Sequence, residues 1–197
     1  MLFGDSIKLN MVNADVIYYP NFFNKNISDI YFNNLLNTLN WKQDNITVFG
    51  KTHLQPRLTA FYASNTNSYK YSNIIMAPNP FSDDLLKIKN IIEKELAISF
   101  TSCLANLYRN GKDSNGWHAD NEKELGKNPI IASISFGVDR TFHFKHKHKK
   151  DLKLKITLQH GSLLLMQGET QKYWLHQIPK TQKDIGKRIN LTFRIIK

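Results

Sequence analysis

The stretch Arg188-Ile189-Asn190-Leu191-Thr192-Phe193-Arg194 alternates polar and apolar side chains without a break. Successive side chains of a strand point to opposite faces. Arg188, Asn190, Thr192 and Arg194 therefore share one face, and Ile189, Leu191, Phe193 and Ile195 the other. The apolar face needs a covering layer. The polar face either meets water or lines a pocket, and length and composition alone favour water. The same period of two recurs upstream at 103–108, 130–136, 141–146, 152–158, 162–166 and 174–178. Asn106 and Tyr108 share a face of the first of these. Short strands joined by turns such as Asn110-Gly111 and His160-Gly161 predict a sandwich or barrel.

The first hundred residues are mixed. A short strand at 16–19 ends at Pro20. Residues 28–40 read as a helix with Ser28 as N-cap and Ile30, Tyr31, Leu35 and Leu39 near helical spacing. Residues 82–97 read as a second helix. Ser82 caps it, Asp83 and Asp84 suit its positive end, and Leu85, Ile88, Ile92 and Leu96 form its apolar stripe. The predicted fold class is α+β: a double-stranded β-helix (jelly roll) with polar groups around a central pocket and the N-terminal helices packed on the outer face. No repeat, low-complexity tract or linker divides the chain. It is expected to be one domain, 1–197, with an N-terminal part at 1–100 and the jelly-roll core at 101–197.

Lysine and arginine number 27 against 16 acidic residues, a net charge of +11. Such a field attracts polyanions, although a lysine-rich soluble surface produces the same balance. Cys103 is the only cysteine, which excludes an intramolecular disulfide and a cysteine-rich zinc site. No apolar run reaches transmembrane length, and the first ten residues lack the layout of a secretory signal. These features predict no membrane contact, a monomer, and a cytoplasmic protein (nucleoid-associated in a bacterium, nuclear in a eukaryote).

His118 and Asp120 stand two residues apart in Gly116-Trp117-His118-Ala119-Asp120, with His176 further on. Two histidines and one carboxylate are the facial set that holds non-haem Fe(II) while leaving positions open. Each residue alone is weak evidence. Their order is more specific: Asn-x-Tyr, His-x-Asp, His, then Arg-x-Asn-x-Thr-x-Arg.

With 118–125 (His-Ala-Asp-Asn-Glu-Lys-Glu-Leu), 131–137 (Ile-Ala-Ser-Ile-Ser-Phe-Gly) and 160–164 (His-Gly-Ser-Leu-Leu), this order resembles the AlkB family of Fe(II)- and 2-oxoglutarate-dependent nucleic-acid dealkylases. The resemblance covers roughly residues 45 to 197 and looks closest to the double-strand-DNA repair subgroup. It implies that His118, Asp120 and His176 bind iron, and that Asn106, Tyr108, Arg188, Asn190 and Arg194 surround 2-oxoglutarate. Spacing does not tell which arginine meets which carboxylate. The family pattern favours Arg188 for the distal carboxylate and Arg194 for the substrate side, where it would take part in catalysis. The implied chemistry couples O2 and 2-oxoglutarate decarboxylation to hydroxylation of an N-methyl group, which leaves as formaldehyde.

The expected target is 1-methyladenine or 3-methylcytosine in double-stranded DNA, with the alkylated base flipped out of the stack. The segment 48–51 resembles a finger that fills the vacated gap with Phe49, unless Phe49 is an ordinary core residue. A recognition lid is implied at Gln55-Pro56-Arg57 and Tyr69-Lys70-Tyr71-Ser72. Tyr71 would stack on the base opposite His118, Tyr69 would hydrogen-bond to it, and Glu122 would face its exocyclic group. Residues 58–68 depart from the pattern. The run at 145–150 (Lys-His-Lys-His-Lys-Lys) is either a phosphate-gripping loop or a solvated turn. RNA, including tRNA, is the alternative target, and a non-catalytic nucleic-acid-binding barrel is the alternative class.

Overall fold

The strands expected from the period of two form, but the expected closure does not. A computed structural model describes residues 5–48, 50–64, 69–71 and 74–196. In chain order the N-terminal half contains β1 (Ile7–Lys8), β2 (Asp15–Tyr19), α1 (Lys25–Thr38), β3 (Asn45–Val48), β4 (Lys51–Leu54), β5 (Leu58–Ala63), β6 (Tyr69–Tyr71), β7 (Ile74–Met76) and α2 (Asp83–Leu96). The second half contains β8 (Ser102–Tyr108), β9 (Asn115–His118), β10 (Ile131–Gly137), β11 (Arg140–His146), β12 (Lys153–Leu158), β13 (Ser162–Gln167), the short helix α3 (Thr170–Tyr173), β14 (Trp174–Ile178) and β15 (Arg188–Arg194).

Seven strands make one antiparallel sheet in the order β1-β2-β13-β10-β15-β8-β5, and four make a second, β12-β11-β14-β9. The remaining described strands form two separate hairpins, β3–β4 and β6–β7. The jelly-roll expectation is therefore corrected. The chain is α+β with several antiparallel sheets, and among the described residues none closes into a barrel or curls strongly. Alternation dictates which face a side chain occupies, whereas closure depends on which edges pair. Here β1 and β5 end the large sheet on opposite sides, and β12 and β9 end the small one.

The helices cover one face of the large sheet, as their stripes predicted. Tyr31 and Leu35 of α1, and Leu85, Ile88 and Ile92 of α2, pack with Ala105, Leu107, Ile134, Ile189, Leu191 and Phe193. Burying each large apolar side chain stabilises by about 1.5–3 kcal/mol, so this layer fixes the inward face of β15. The opposite face of the large sheet meets the small one through Tyr108, Ile131, Leu164 and Met166 against Phe142, Phe144, Trp174 and Ile178.

Ser82 caps α2 as expected, accepting from the Leu85 amide at 3.4 Å. The first helix starts earlier than its sequence suggested. Asn24 caps it by accepting from the Ile27 amide at 3.0 Å. Ser28 is buried within the helix and donates to the Phe23 carbonyl. Gly137 ends β10 at φ +91°, where a Cβ would strike the Lys187 carbonyl. Its absence lets the chain entering β15 lie close enough to place Arg188 opposite Gly137.

Candidate active site

The register of β15 between β10 and β8 builds one wall. Asn190 lies opposite Ser135 on one side and Asn106 on the other, and Arg188 opposite Tyr108. This polar face is buried, not wetted: Arg188 is 1% and Arg194 3% exposed. Asn190 donates from Nδ2 to Ser133 Oγ (2.8 Å) and to the Ile134 carbonyl (2.9 Å). Arg188 donates from Nη2 to Ser135 Oγ at 2.9 Å, and its guanidinium lies 5.2 Å from the Tyr108 ring centre. Its Nε and Nη1 are buried with no hydrogen-bond partner among the described residues. Burial lowers the Arg188 pKa to about 10, with Tyr108 opposing and Arg140 adding to the effect. It remains a cation at neutral pH.

The facing wall comes from β9 and β14, which pair so that His118 lies opposite His176. One donor atom each from His118, Asp120 and His176 lie within 4.8 Å of one another. The two imidazole centres are 4.2 Å apart, and Phe142 stacks on His176 at 5.3 Å. His118 Nδ1 is 2.7 Å from the Gly116 carbonyl. A carbonyl only accepts, so Nδ1 carries the proton and Nε2 keeps its lone pair for a metal. Asn115 Nδ2 donates to that Nε2 at 3.2 Å, and His176 Nδ1 is buried without a partner among the described residues. Arg194 Nη2 donates to Asp120 Oδ1 at 2.8 Å, while Gln171 Oε1 accepts from the Asp120 amide at 2.9 Å.

Burial works to raise the Asp120 carboxyl, but Arg194 above all, with His176 and His118, outweighs it and holds it at about 2. Burial lowers both imidazoles; His176, with His118 adding to the effect, falls to about 3. At neutral pH the set is two neutral imidazoles and one carboxylate. This donor set fits Fe(II), because metal ligands must be deprotonated. The unsatisfied N–H groups of Arg188 fit a carboxylate, so the pocket also suits 2-oxoglutarate.

The His176 shift has a consequence for the metal-free protein. Its folded pKa lies below the unfolded value of 6.5, so the unfolded chain binds more protons between these values. Stability is expected to fall, by a few kcal/mol in all, as pH drops from about 6.5 towards 3. Asp120 contributes lower down: its share is present above about 3.8 and is lost as pH falls through about 2. Denaturant midpoints across this range should fall less steeply in His176→Gln. Parallel curves for the two proteins would rule out His176 as the cause.

The chain matches the 2OG-Fe(II) oxygenase superfamily over residues 15–194. It is 42% identical to human alpha-ketoglutarate-dependent dioxygenase alkB homolog 3 over 190 residues, covering 92% of this chain and 66% of the relative. It is 37% identical to the Arabidopsis thaliana DNA oxidative demethylase ALKBH2 over 211 residues, covering 93% of this chain and 67% of the relative. The chain belongs to the AlkB family of 2OG-Fe(II) oxygenases. It spans just under two thirds of the length of its alkB homolog 3 relatives, 66% of the human and 64% of the bovine protein. The solved structure of OsALKBH1 shares the fold at 16% identity, with a TM-score of 0.69 over 97% of this chain and 100% of that one. The relatives include both alkB homolog 3 and ALKBH2 proteins, so the double-strand-DNA repair subgroup is not singled out.

Within this AlkB-family chain one pocket brings together His118, Asp120, His176, Asn106, Tyr108, Arg188, Asn190 and Arg194. Arg57 reaches it indirectly, donating from Nε to Asn106 Oδ1 at 2.8 Å and from Nη1 to the Ser114 carbonyl at 3.2 Å. Glu122 is half-buried just beyond Asp120. Phe49 and Ser72 lie outside the described residues. Tyr69 and Tyr71 sit on β6, paired with β7, and their side chains also lie outside the description.

In the 145–150 run, His146 is buried and its Nδ1 accepts from the His148 and Lys149 amides. Lys147 donates to the Gln171 carbonyl. Sequence reasoning missed Asn115, Ser133, Ser135, Phe142 and Gln171. The two serines were within reach, since the alternation of β10 puts both opposite the polar face of β15. Asn115 and Gln171 had no periodic signal.

Proposed function

We propose that this chain is an Fe(II)- and 2-oxoglutarate-dependent dealkylase of N-methylated nucleic-acid bases, acting on 1-methyladenine and 3-methylcytosine in DNA, with the base flipped from a duplex. One observation carries the reading: two neutral imidazoles and a carboxylate face a buried arginine whose Nε and Nη1 have no partner among the described residues. The ALKBH2 relatives are DNA oxidative demethylases, which supports the substrate class.

His118, Asp120 and His176 would hold the iron, which with 2-oxoglutarate and O2 supplies the oxidation of the N-methyl carbon that ends in loss of formaldehyde. Arg188 binds the distal carboxylate of 2-oxoglutarate, with Ser135 orienting the guanidinium. Asn190 is fixed by Ser133 and Ile134, and Asn106 by Arg57, so neither needs to reorganise when the co-substrate arrives. Arg194 holds Asp120 ionised and in place. Phe142 and Met166 exclude water from the pocket wall. Glu122, Tyr69 and Tyr71 take the base, and the net charge of +11 favours a polyanion as its carrier.

The test supplies Fe(II), 2-oxoglutarate and ascorbate to the protein with duplex or single-stranded oligonucleotides carrying one 1-methyladenine, and reads methyl loss by mass spectrometry. Duplex demethylation that vanishes in His118→Ala is expected. Phe49→Ala should lower duplex turnover much more than single-strand turnover. Equal losses would remove the duplex assignment, turnover confined to methylated RNA would replace DNA as the target, and absence of succinate would end the oxygenase reading.

A further inference from the structure

The side of the small sheet that faces away from the pocket has a composition the chemistry does not explain. Its four strands, β9, β11, β12 and β14, contain no aspartate or glutamate. Alternation sends His118, His176, Phe142 and Phe144 inward, and Trp117, His143, Lys145, Lys153, Lys155 and Gln177 outward. Cross-strand pairing sets Lys145 opposite Lys153 and His143 opposite both Lys155 and Gln177. Lys153 and Lys155 are exposed. Trp117 is 39% exposed on the edge strand β9, although large aromatic side chains are usually covered. The Lys145 ammonium lies 4.3 Å from its ring centre, and His143 packs at 6.4 Å.

We propose that this face is a second contact surface for single-stranded nucleic acid: Trp117 stacks an unmodified base while Lys153 and Lys155 hold phosphates. An exposed indole among cations, with no carboxylate on the same strands, matches the two groups every nucleotide offers, a π-face and an anion. Such pairing tolerates any sequence. From β9 to β12 the face extends roughly 14 Å, three strand spacings. It is continuous with the active site through one peptide, since Trp117 and His118 are neighbours on opposite faces of β9. An unpaired strand that delivers one base to the pocket passes the β9 edge and lays its adjoining nucleotides on this sheet, whereas a base flipped from a duplex, whose neighbours stay paired, reaches the pocket without it. The inference rests on the nucleic-acid reading above and adds a site remote from the lid.

The experiment measures binding of an unmodified oligothymidylate of about 16 nucleotides to the full chain without iron or 2-oxoglutarate, over a range of salt concentrations. Lys153→Ala/Lys155→Ala should weaken binding and reduce the slope of log affinity against log salt by about 1.4, or about 0.7 per lost phosphate contact. Trp117→Ala should lower affinity about ten-fold or more with the slope unchanged, and Trp117→Phe should retain most of the affinity. The lysine pair guards against a folding defect beside His118, because both side chains are exposed and distant from it. An unchanged slope in the lysine variant together with unchanged affinity in Trp117→Ala overturns the proposal.

Turnover of a methylated trinucleotide, too short to reach around β9, separates this outcome from failure of the dealkylase reading. Wild-type trinucleotide turnover in the lysine variant, with weakened oligothymidylate binding, supports both readings. No trinucleotide turnover in any protein, with binding still dependent on the lysines, removes the dealkylase and keeps the surface.

Discussion

Arg188→Met is expected to raise the 2-oxoglutarate KM more than about 100-fold while leaving thermal stability unchanged or slightly higher. The guanidinium is fully buried, and Ser135 accepts from one nitrogen only. Nε and Nη1 are left for a ligand. Two hydrogen bonds to a charged carboxylate contribute about 1.5–3 kcal/mol each, and each 1.4 kcal/mol is ten-fold in affinity. Without co-substrate the same arginine is a desolvated cation with unmet donors. Replacing such a group by an apolar side chain of similar length is often neutral or stabilising. The variant should therefore melt like the wild type when both lack co-substrate, and only the wild type should gain stability from added 2-oxoglutarate. An unchanged KM would remove Arg188 from the co-substrate site. A large fall in the melting temperature of the variant would mark it as structural.

Asp120→Ala is expected to abolish turnover and to destabilise the metal-free protein by about 3–5 kcal/mol, the usual cost of breaking a buried ion pair from one side. The carboxylate is one of three donors around the metal position and the partner of Arg194 Nη2 at 2.8 Å, with both side chains almost wholly buried. Its loss therefore damages chemistry and fold together. Asp120→Ala/Arg194→Met separates them: stability should largely return, while metal binding and turnover stay lost. If the single variant is as stable as the wild type, the pair does not support the fold. If it retains turnover, the donor set is wrong.

The chemistry was more legible in the sequence than the architecture. Period two put Asn106 with Tyr108 on one face of β8, and Arg188, Asn190 and Arg194 on one face of β15. A pocket and not water beside them was implied by the family resemblance, and in the structure these five side chains line one pocket with the three metal donors. The helix stripes at Leu85, Ile88 and Ile92 identified the covering layer. Closure was misjudged because side-chain alternation carries no information about edge pairing. The capping role of Asn24 was assigned to Ser28, since both residue types cap and the apolar spacing tolerates either start. β9 escaped notice because its exposed, glycine-containing Asn-Gly-Trp-His has no apolar alternation. The hairpins β3–β4 and β6–β7 lie in the less regular first half, where local pattern does not specify a partner strand.

β15 serves two masters along seven consecutive residues: Ile189, Leu191 and Phe193 hold the helices, and Arg188, Asn190 and Arg194 face the metal position. Removing or adding a single codon within it would exchange the two sets, sending charge into the helix layer and leucine to the co-substrate. Natural length variation in this part of the gene should consequently accumulate in 179–187, ahead of the strand, and spare the strand itself. The same codons are thus constrained twice over, once by folding and once by catalysis.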